Sequence, residues 1–321
     1  MRSTPLSLVA LAATALFLTS CAGSTAAGSS DKAETVTLTT PAGADIEVPA
    51  DPQSALGFYT TDLDILITLG FELADTQPIR DDFTAFPDFF PQDELEGLDT
   101  FGNFPEFNLE AVLEAQPDFI LNGLGYEEDL DGKLQKIAPT YTYNAFDGGD
   151  WRDVVGQAAA DLGREDQWQA WVDQYEARVA DIRARLDAAD IHPVVADVGY
   201  FEGQVTTSCY GVPCLVFADL GLEMHELMNA TDEGLPASDD YTQLSPEQVG
   251  QLEGVDVVFT GANEDGTVWI EDDSALQQNQ LWQNLSFVSD GAYHPYNYEM
   301  IYGSPSGQDA FLTVVEKALL G

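Results

Sequence analysis

The chain has 321 residues, 45% of them hydrophobic, with 17 Phe, 12 Tyr and 5 Trp, enough apolar material for two packed domains of ordinary size. Its 56 Asp and Glu stand against 11 Lys and Arg, a net charge of −45, and this excludes nucleic acid as a partner because phosphate binding needs clustered cations. The acids are spread along nearly the whole chain, which favours a solvated surface suited to a salty setting over one patch that attracts a cationic ligand.

Residues 1–20 carry Arg2, an apolar stretch from Leu6 to Leu18 and small residues before Cys21, the layout of a secretory signal. About 13 apolar residues are too few to cross a ~30 Å hydrocarbon core, which needs roughly 20. The run Leu18-Thr19-Ser20-Cys21 resembles a bacterial lipoprotein signal. That likeness implies cleavage before Cys21, lipidation of Cys21, and a mature protein tethered to the cell membrane on its extracytoplasmic face. Residues 21–34, rich in Gly, Ala and Ser, read as a flexible stalk.

Val36 to Thr40 alternates, residues 42–45 turn, and Ile46-Glu47-Val48 alternates again, which predicts a hairpin. Short apolar runs then interleave with helical periods. Ala55 to Phe58, Phe119 to Leu121 and Tyr141 to Tyr143 read as strands, Leu63 to Leu69 and Leu130 to Ile137 as helices. After residue 190 the same grammar returns. Val194 to Val198 and Val255 to Phe259 read as buried strands, with helices over Pro246 to Leu252, Ser274 to Leu281 and Asp309 to Leu320. Strands alternating with helices predict parallel α/β layering.

Between the halves lies the longest helical pattern. From Trp168, apolar residues recur at Val172, Tyr175, Val179, Ile182 and Leu186, one face of a helix over Glu165 to Ala188. At 1.5 Å per residue it would extend about 36 Å, enough to span two lobes. Arg164, Arg178, Arg183 and Arg185 lie in or beside it, with Asp181 and Arg185 spaced for an i,i+4 pair. Few cations remain to line a pocket. The expected organisation is a signal peptide (1–20), a stalk (21–34), an N-terminal α/β lobe (35–150), a connecting segment with the bridging helix (151–190) and a C-terminal α/β lobe (191–321).

Cys209 and Cys214 bracket Tyr-Gly-Val-Pro in a chain read as exported. A local disulfide fits an oxidising compartment better than a metal pair, since no histidine lies close by in sequence.

The order of lipobox, stalk, α/β lobe, single long helix and second α/β lobe resembles the substrate-binding proteins of ABC importers, in the ferric siderophore and cobalamin class. The runs that carry the likeness include residues 46–53, 61–70 and 108–121, the Asp161-Leu162-Gly163-Arg164-Glu165 entry to the long helix, and residues 244–249 and 255–259. The resemblance implies two Rossmann-like α/β lobes bridged by a single long α-helix, with the ligand cleft between them and only small closure, because a continuous helix resists hinging. It implies a monomer that binds and delivers rather than an enzyme, with no cofactor of its own, the iron travelling inside the bound chelate. It also gives roles to Glu110 and Glu247, one per lobe, as surface acids that dock onto arginines of the permease.

Loops at the carboxyl ends of strands should line the cleft. That rule selects Tyr59 and Tyr126 in the first lobe and Tyr200 and Trp269 in the second, with Tyr298 and Tyr302 before the last helix. Arg80 and Arg152 are the candidate pocket cations, each with acids nearby that could pair with it instead. Asn103 stands in the segment before the Asn-x-Glu motif, where hydroxamate binders of the family commonly place an arginine. The three histidines, His192, His225 and His294, are scattered without metal-ligand spacing, which disfavours a bare-metal binder. A chain so short of cations suits a neutral or cationic ferric chelate, hydroxamate-like, better than an anionic catecholate. Cobalamin and haem are alternatives on the same architecture. A lipid-anchored hydrolase fits less well. Ser306, in Gly303-Ser304-Pro305-Ser306-Gly307, lacks nucleophile-elbow spacing and reads as the cap of the last helix.

Overall fold

The computed structural model describes residues 34–127, 129–146, 149–229, 241–268, 270–271 and 274–321. The leader, Cys21, the stalk up to residue 33 and Trp269 lie outside these residues. β1 (Thr35–Thr39) and β2 (Asp45–Pro49) pair antiparallel with Leu38 opposite Ile46. Ile46 and Val48 are buried between exposed neighbours, the period-2 pattern of a half-buried strand.

The first half continues through β3 (Ala55–Gly57), α1 (Thr60–Thr68), β4 (Thr76–Arg80), α2 (Gln92–Leu95), β5 (Asp99–Phe104), α3 (Leu109–Glu114), β6 (Phe119–Asn122), α4 (Leu130–Leu134) and β7 (Thr140–Thr142). β3, β6 and β7 form a parallel sheet in the order β3-β6-β7, almost wholly buried, as covered parallel sheets are. β4 and β5 form a second parallel pair. The buried Gln77 side chain joins the two: its Nε2 donates to the Ala55 carbonyl at 2.8 Å and its Oε1 accepts from Gly57 N at 3.1 Å. A side-chain amide thus stands where ladder bonds between β3 and β4 would be.

α5 (Trp151–Asp161) and α6 (Glu165–Ala189) connect the halves. The α6 face is the one the periodicity predicts. Trp168, Tyr175, Val179, Ile182 and Leu186 are buried, Val172 partly, and Trp171 joins them. Arg178 pairs with Asp309 at 2.9 Å, and Arg185 pairs with Glu316 and with Asp181 at 3.4 Å. The Arg164 guanidinium stacks 4.7 Å above the Phe71 ring. One contiguous apolar cluster runs from Ile46 and Phe119 through Trp151, Trp168 and Trp171 to Phe217 and Phe259. Rotation of one half against the other would have to break that packing, not only bend α6.

The second half comprises β8 (Val194–Phe201), β9 (Gln204–Thr207), α7 (Gly211–Leu220), β10 (Glu223–Met224), β11 (Thr242–Leu244), β12 (Val257–Ala262), α8 (Ser274–Gln277), α9 (Gln280–Gln283), α10 (Ser286–Ser289), β13 (Tyr293–Asn297) and α11 (Pro305–Leu320). Its strands run β11-β9-β8-β12-β13, with β10 also on β8. β8, β12 and β13 are parallel, and β9 and β11 extend the edge antiparallel. A disulfide joins Cys209 and Cys214 at the entry to α7.

Three helices differ from the sequence reading. The segment Pro246 to Leu252 forms only a 3-10 turn at Val249–Leu252. Ser274 to Leu281 breaks into α8 and α9 because the Asn279 side chain caps Leu281 N at 2.8 Å. The last helix starts at Pro305, earlier than expected, with Pro at N1. Its cap is Ser304, whose Oγ accepts from Gly307 N at 3.2 Å, and not Ser306.

Candidate functional site

Buried polar side chains fix the loops that meet between the halves. Asp62, at the start of α1, accepts from Tyr59 N at 3.0 Å, Gly123 N at 3.0 Å and the Tyr143 hydroxyl at 2.9 Å. It thereby ties together the loops that leave β3 and β6. Burial raises its pKa to about 7, although all three bonds act to lower it. Asn103 works in the same way. Its Nδ2 donates to the Phe58 carbonyl at 2.8 Å and its Oδ1 accepts from Asn108 N at 2.8 Å. Each end of that amide bonds backbone, so Asn103 ties the loop after β3 to the entry of α3.

Arg80, the last residue of β4, occupies the centre. Its Nη1 donates to the Tyr59 hydroxyl at 3.2 Å, its Nε to Asp82 at 3.0 Å, and Glu299 lies 3.8 Å away. The guanidinium sits 5.1 Å from the Tyr298 ring, 5.2 Å from Phe104 and 5.6 Å from Phe83, a cation–π cage. Burial works against its charge, but Tyr59, Asp82 and Glu299 raise its pKa well above the ordinary value. Burial opposes charge on Asp82 too, yet the bonds from Arg80 and Tyr298 hold its carboxyl below the usual range. Glu299 is 2% exposed. Burial lifts its pKa to about 7 against the pull of Thr60, Arg80 and Tyr59.

Aromatic rings from both halves complete the wall. Tyr302 meets Tyr59 at 6.1 Å and Phe146 at 5.8 Å, and Tyr126 meets Phe146 at 5.8 Å from the exposed rim. A cavity of about 500 Å³ opens beside Asp82, Phe83, Thr84, Asn263, Glu264, Asp265 and Tyr298. At its far end Thr84 N donates to Glu264 at 3.3 Å. Among the described residues no group of three or more His, Cys, Asp or Glu is set to hold a metal ion.

Of the residues singled out from sequence, the structure brings together Tyr59, Arg80, Tyr298 and Tyr302, with Tyr126 at the rim. Arg152 goes elsewhere. It pairs with Asp150 at 2.6 Å and Asp219 at 2.7 Å in a groove of about 700 Å³ along α6. Tyr200 packs against the core of the second half, since strand alternation sends it to the face opposite Asp197 and Gly199. Sequence reading missed Asp82, Phe104, Phe146 and Glu299. Asp82 carries a legible signal, two residues beyond Arg80; Glu299 carries none. Glu110 is exposed in the first turn of α3, whose cap Asn108 accepts from Ala111 N at 3.1 Å. Glu247 is exposed in a turn rather than a helix, before the 3-10 segment.

Residues 80–292 match the family model described as Periplasmic binding protein. The chain is 22% identical over 287 residues to the probable siderophore-binding lipoprotein YfiY of Bacillus subtilis, covering 87% of this chain and 86% of that one. It is 24% identical over 193 residues to the Fe(3+)-citrate-binding protein YfmC of the same organism, covering 59% and 56%. Among solved structures, it matches a FhuD fold-family periplasmic binding protein of a ferrichrome ABC transporter from Bacillus subtilis with TM-score 0.70 and 21% identity, over 87% of this chain and 98% of that one. Staphylococcus aureus SirA complexed with staphyloferrin B matches with TM-score 0.65 and 21% identity, over 88% and 97%. The fold is the two-lobed α/β arrangement of these proteins.

Proposed function

We propose, because the chain belongs to the periplasmic binding protein family, that it captures a ferric siderophore between its two halves and delivers it to an ABC permease. The observation that carries this reading is the aromatic wall shared by Tyr59, Phe146 and Tyr302, with Arg80 caged at its centre. Large rigid rings bury a bulky chelate at low entropic cost, and tyrosine hydroxyls bond its polar rim. The names of YfiY and YfmC point to iron chelates as cargo. The protein acts by binding, not turnover, and the iron is cargo held by the chelate.

Charge narrows the ligand. Arg80 is matched by Asp82 and Glu299, and Glu264 and Asp265 add further acid to the neighbouring cavity. An anionic catecholate would enter against that field, whereas a neutral or cationic hydroxamate chelate would not. The revised ligand wall is Tyr59, Arg80, Phe104, Tyr126, Phe146, Tyr298 and Tyr302, with Trp269 retained from the sequence reading. Glu110 and Glu247 dock the permease from the two lobes, and lipid on Cys21 holds the monomer at the extracytoplasmic face of the membrane.

Titrating the full chain in mild detergent with ferric hydroxamates, ferric catecholates, cobalamin and haem, read by tryptophan quenching, tests the reading. Saturable quenching by a ferric hydroxamate, absent with its iron-free form, is expected. Quenching by cobalamin or haem alone would overturn the cargo, and tighter binding of a trianionic catecholate would overturn the charge argument.

A further inference from the structure

Asp197 interrupts the apolar run Val194 to Val198 in the middle of β8, a central strand. An acid at such a position is costly unless something pairs with it. Its Oδ1 accepts from the Tyr296 hydroxyl at 2.9 Å, the side-chain bond the carboxylate makes among the described residues. Among the described residues no Lys or Arg lines the recess it faces. Burial, opposed by the Tyr296 bond, raises its pKa to about 7, so the carboxylate lacks the positive neighbour that would keep it charged.

The recess has about 250 Å³ and is lined by Asp197 together with Tyr210, Tyr296, Tyr298 and Tyr302. Gly199 and Gly261, toward the carboxyl ends of β8 and β12, also line it. Both sit where the parallel strands end, the place α/β sheets use for ligands. Tyr298 lines both this recess and the cavity between the halves, and Tyr302 belongs to the aromatic wall. Whole-ligand pockets take roughly 300–1,000 Å³, so the recess suits one arm of a ligand rather than all of it.

We propose that this recess is a subsite for a pendant alkylammonium arm of the chelate, with Asp197 as its counter-charge and the tyrosine rings as its walls. A carboxylate gives a charge-assisted hydrogen bond, and ring faces attract a cation stripped of water. A few methylenes fill the tyrosine-lined passage, and the ammonium ends at Asp197. This rests on the iron-chelate reading and adds what that reading leaves open: which neutral or cationic chelates are preferred.

The test compares two linear ferric trihydroxamates identical at iron, one ending in a primary ammonium and one with that amine acetylated. Calorimetric titration of the full chain in detergent should show the ammonium form binding at least about tenfold more tightly. In Asp197→Asn the ratio of the two affinities should fall to near one, with thermal melting confirming that the variant folds. Equal binding of both forms by the wild type would overturn the subsite and leave the iron-chelate reading standing. A preference that survives in Asp197→Asn would likewise overturn it. Binding of neither form would overturn both.

Discussion

The Tyr298 hydroxyl donates to the Asp82 carboxylate at 2.9 Å across 216 residues of sequence. The bond joins the two halves at the mouth of the site and orients the acid that grips Arg80. A second tie lies deeper, where Asp64 of α1 accepts from Ser306 N at 2.7 Å and from the Ser306 hydroxyl at 2.6 Å in the first turn of α11. Both contacts link residues that no local pattern relates.

Tyr298→Phe keeps the ring in the Arg80 cage and removes the bond to Asp82. Asp82 is more than half exposed, so water takes over as donor and the stability loss should be about 1 kcal/mol or less. Chelate affinity should fall several-fold, because Asp82 no longer fixes the guanidinium. Calorimetry and thermal melting separate the two effects, and unchanged affinity would show that Arg80 is held without Tyr298.

Ser306→Ala leaves the fully buried Asp64 carboxylate with one donor fewer. Hydrogen bonds to charged groups contribute roughly 1.5–3 kcal/mol, and urea denaturation should register a loss of about that size. The Asp64 pKa, already raised to about 6 by burial against the serine bonds, should rise further. A stability change near zero would mean that the α1 to α11 tie is dispensable.

Stability should fall as pH rises from about 4 toward 7. Burial raises Asp62, Asp197 and Glu299 to about 7 and Asp64 to about 6, from ordinary values of 3.8 for the aspartates and 4.5 for the glutamate. In each case the folded state holds its proton where the unfolded chain has lost it. Folding therefore takes up protons in that window and weakens as they become scarce. Denaturant melts at pH 5, 6, 7 and 8 in fixed salt should show the decline, and Glu299→Gln should flatten it. Stability that climbs toward pH 8 would contradict the burial of these acids.

Salt should stabilise the protein strongly. At a net charge of −45, self-repulsion among surface acids is large, and the screening length shrinks from about 10 Å at 0.1 M to about 3 Å at 1 M. The melting temperature should rise steeply over that range with sodium chloride. A flat profile would show that self-repulsion among the surface acids contributes little to stability.

Sequence by itself determined the features that are local or periodic. The α6 face was legible because a 3.6-residue repeat over 25 residues leaves one packing direction. The hairpin followed from alternation around a turn, and the layered α/β class from strands interleaved with helices. Tertiary structure decided the site. Tyr59, Tyr298 and Tyr302 share a wall while Tyr200 does not, because the face a strand presents depends on the register it adopts in the sheet. Arg80 and Arg152 look equivalent in sequence, each beside an acid. Only the fold places the first in an aromatic cage between the halves and the second against Asp219 along α6. The electrostatic state of Asp197 and Glu299 was likewise decided by the fold. Whether an acid is solvated or must find a counter-charge depends on neighbours that distant segments supply.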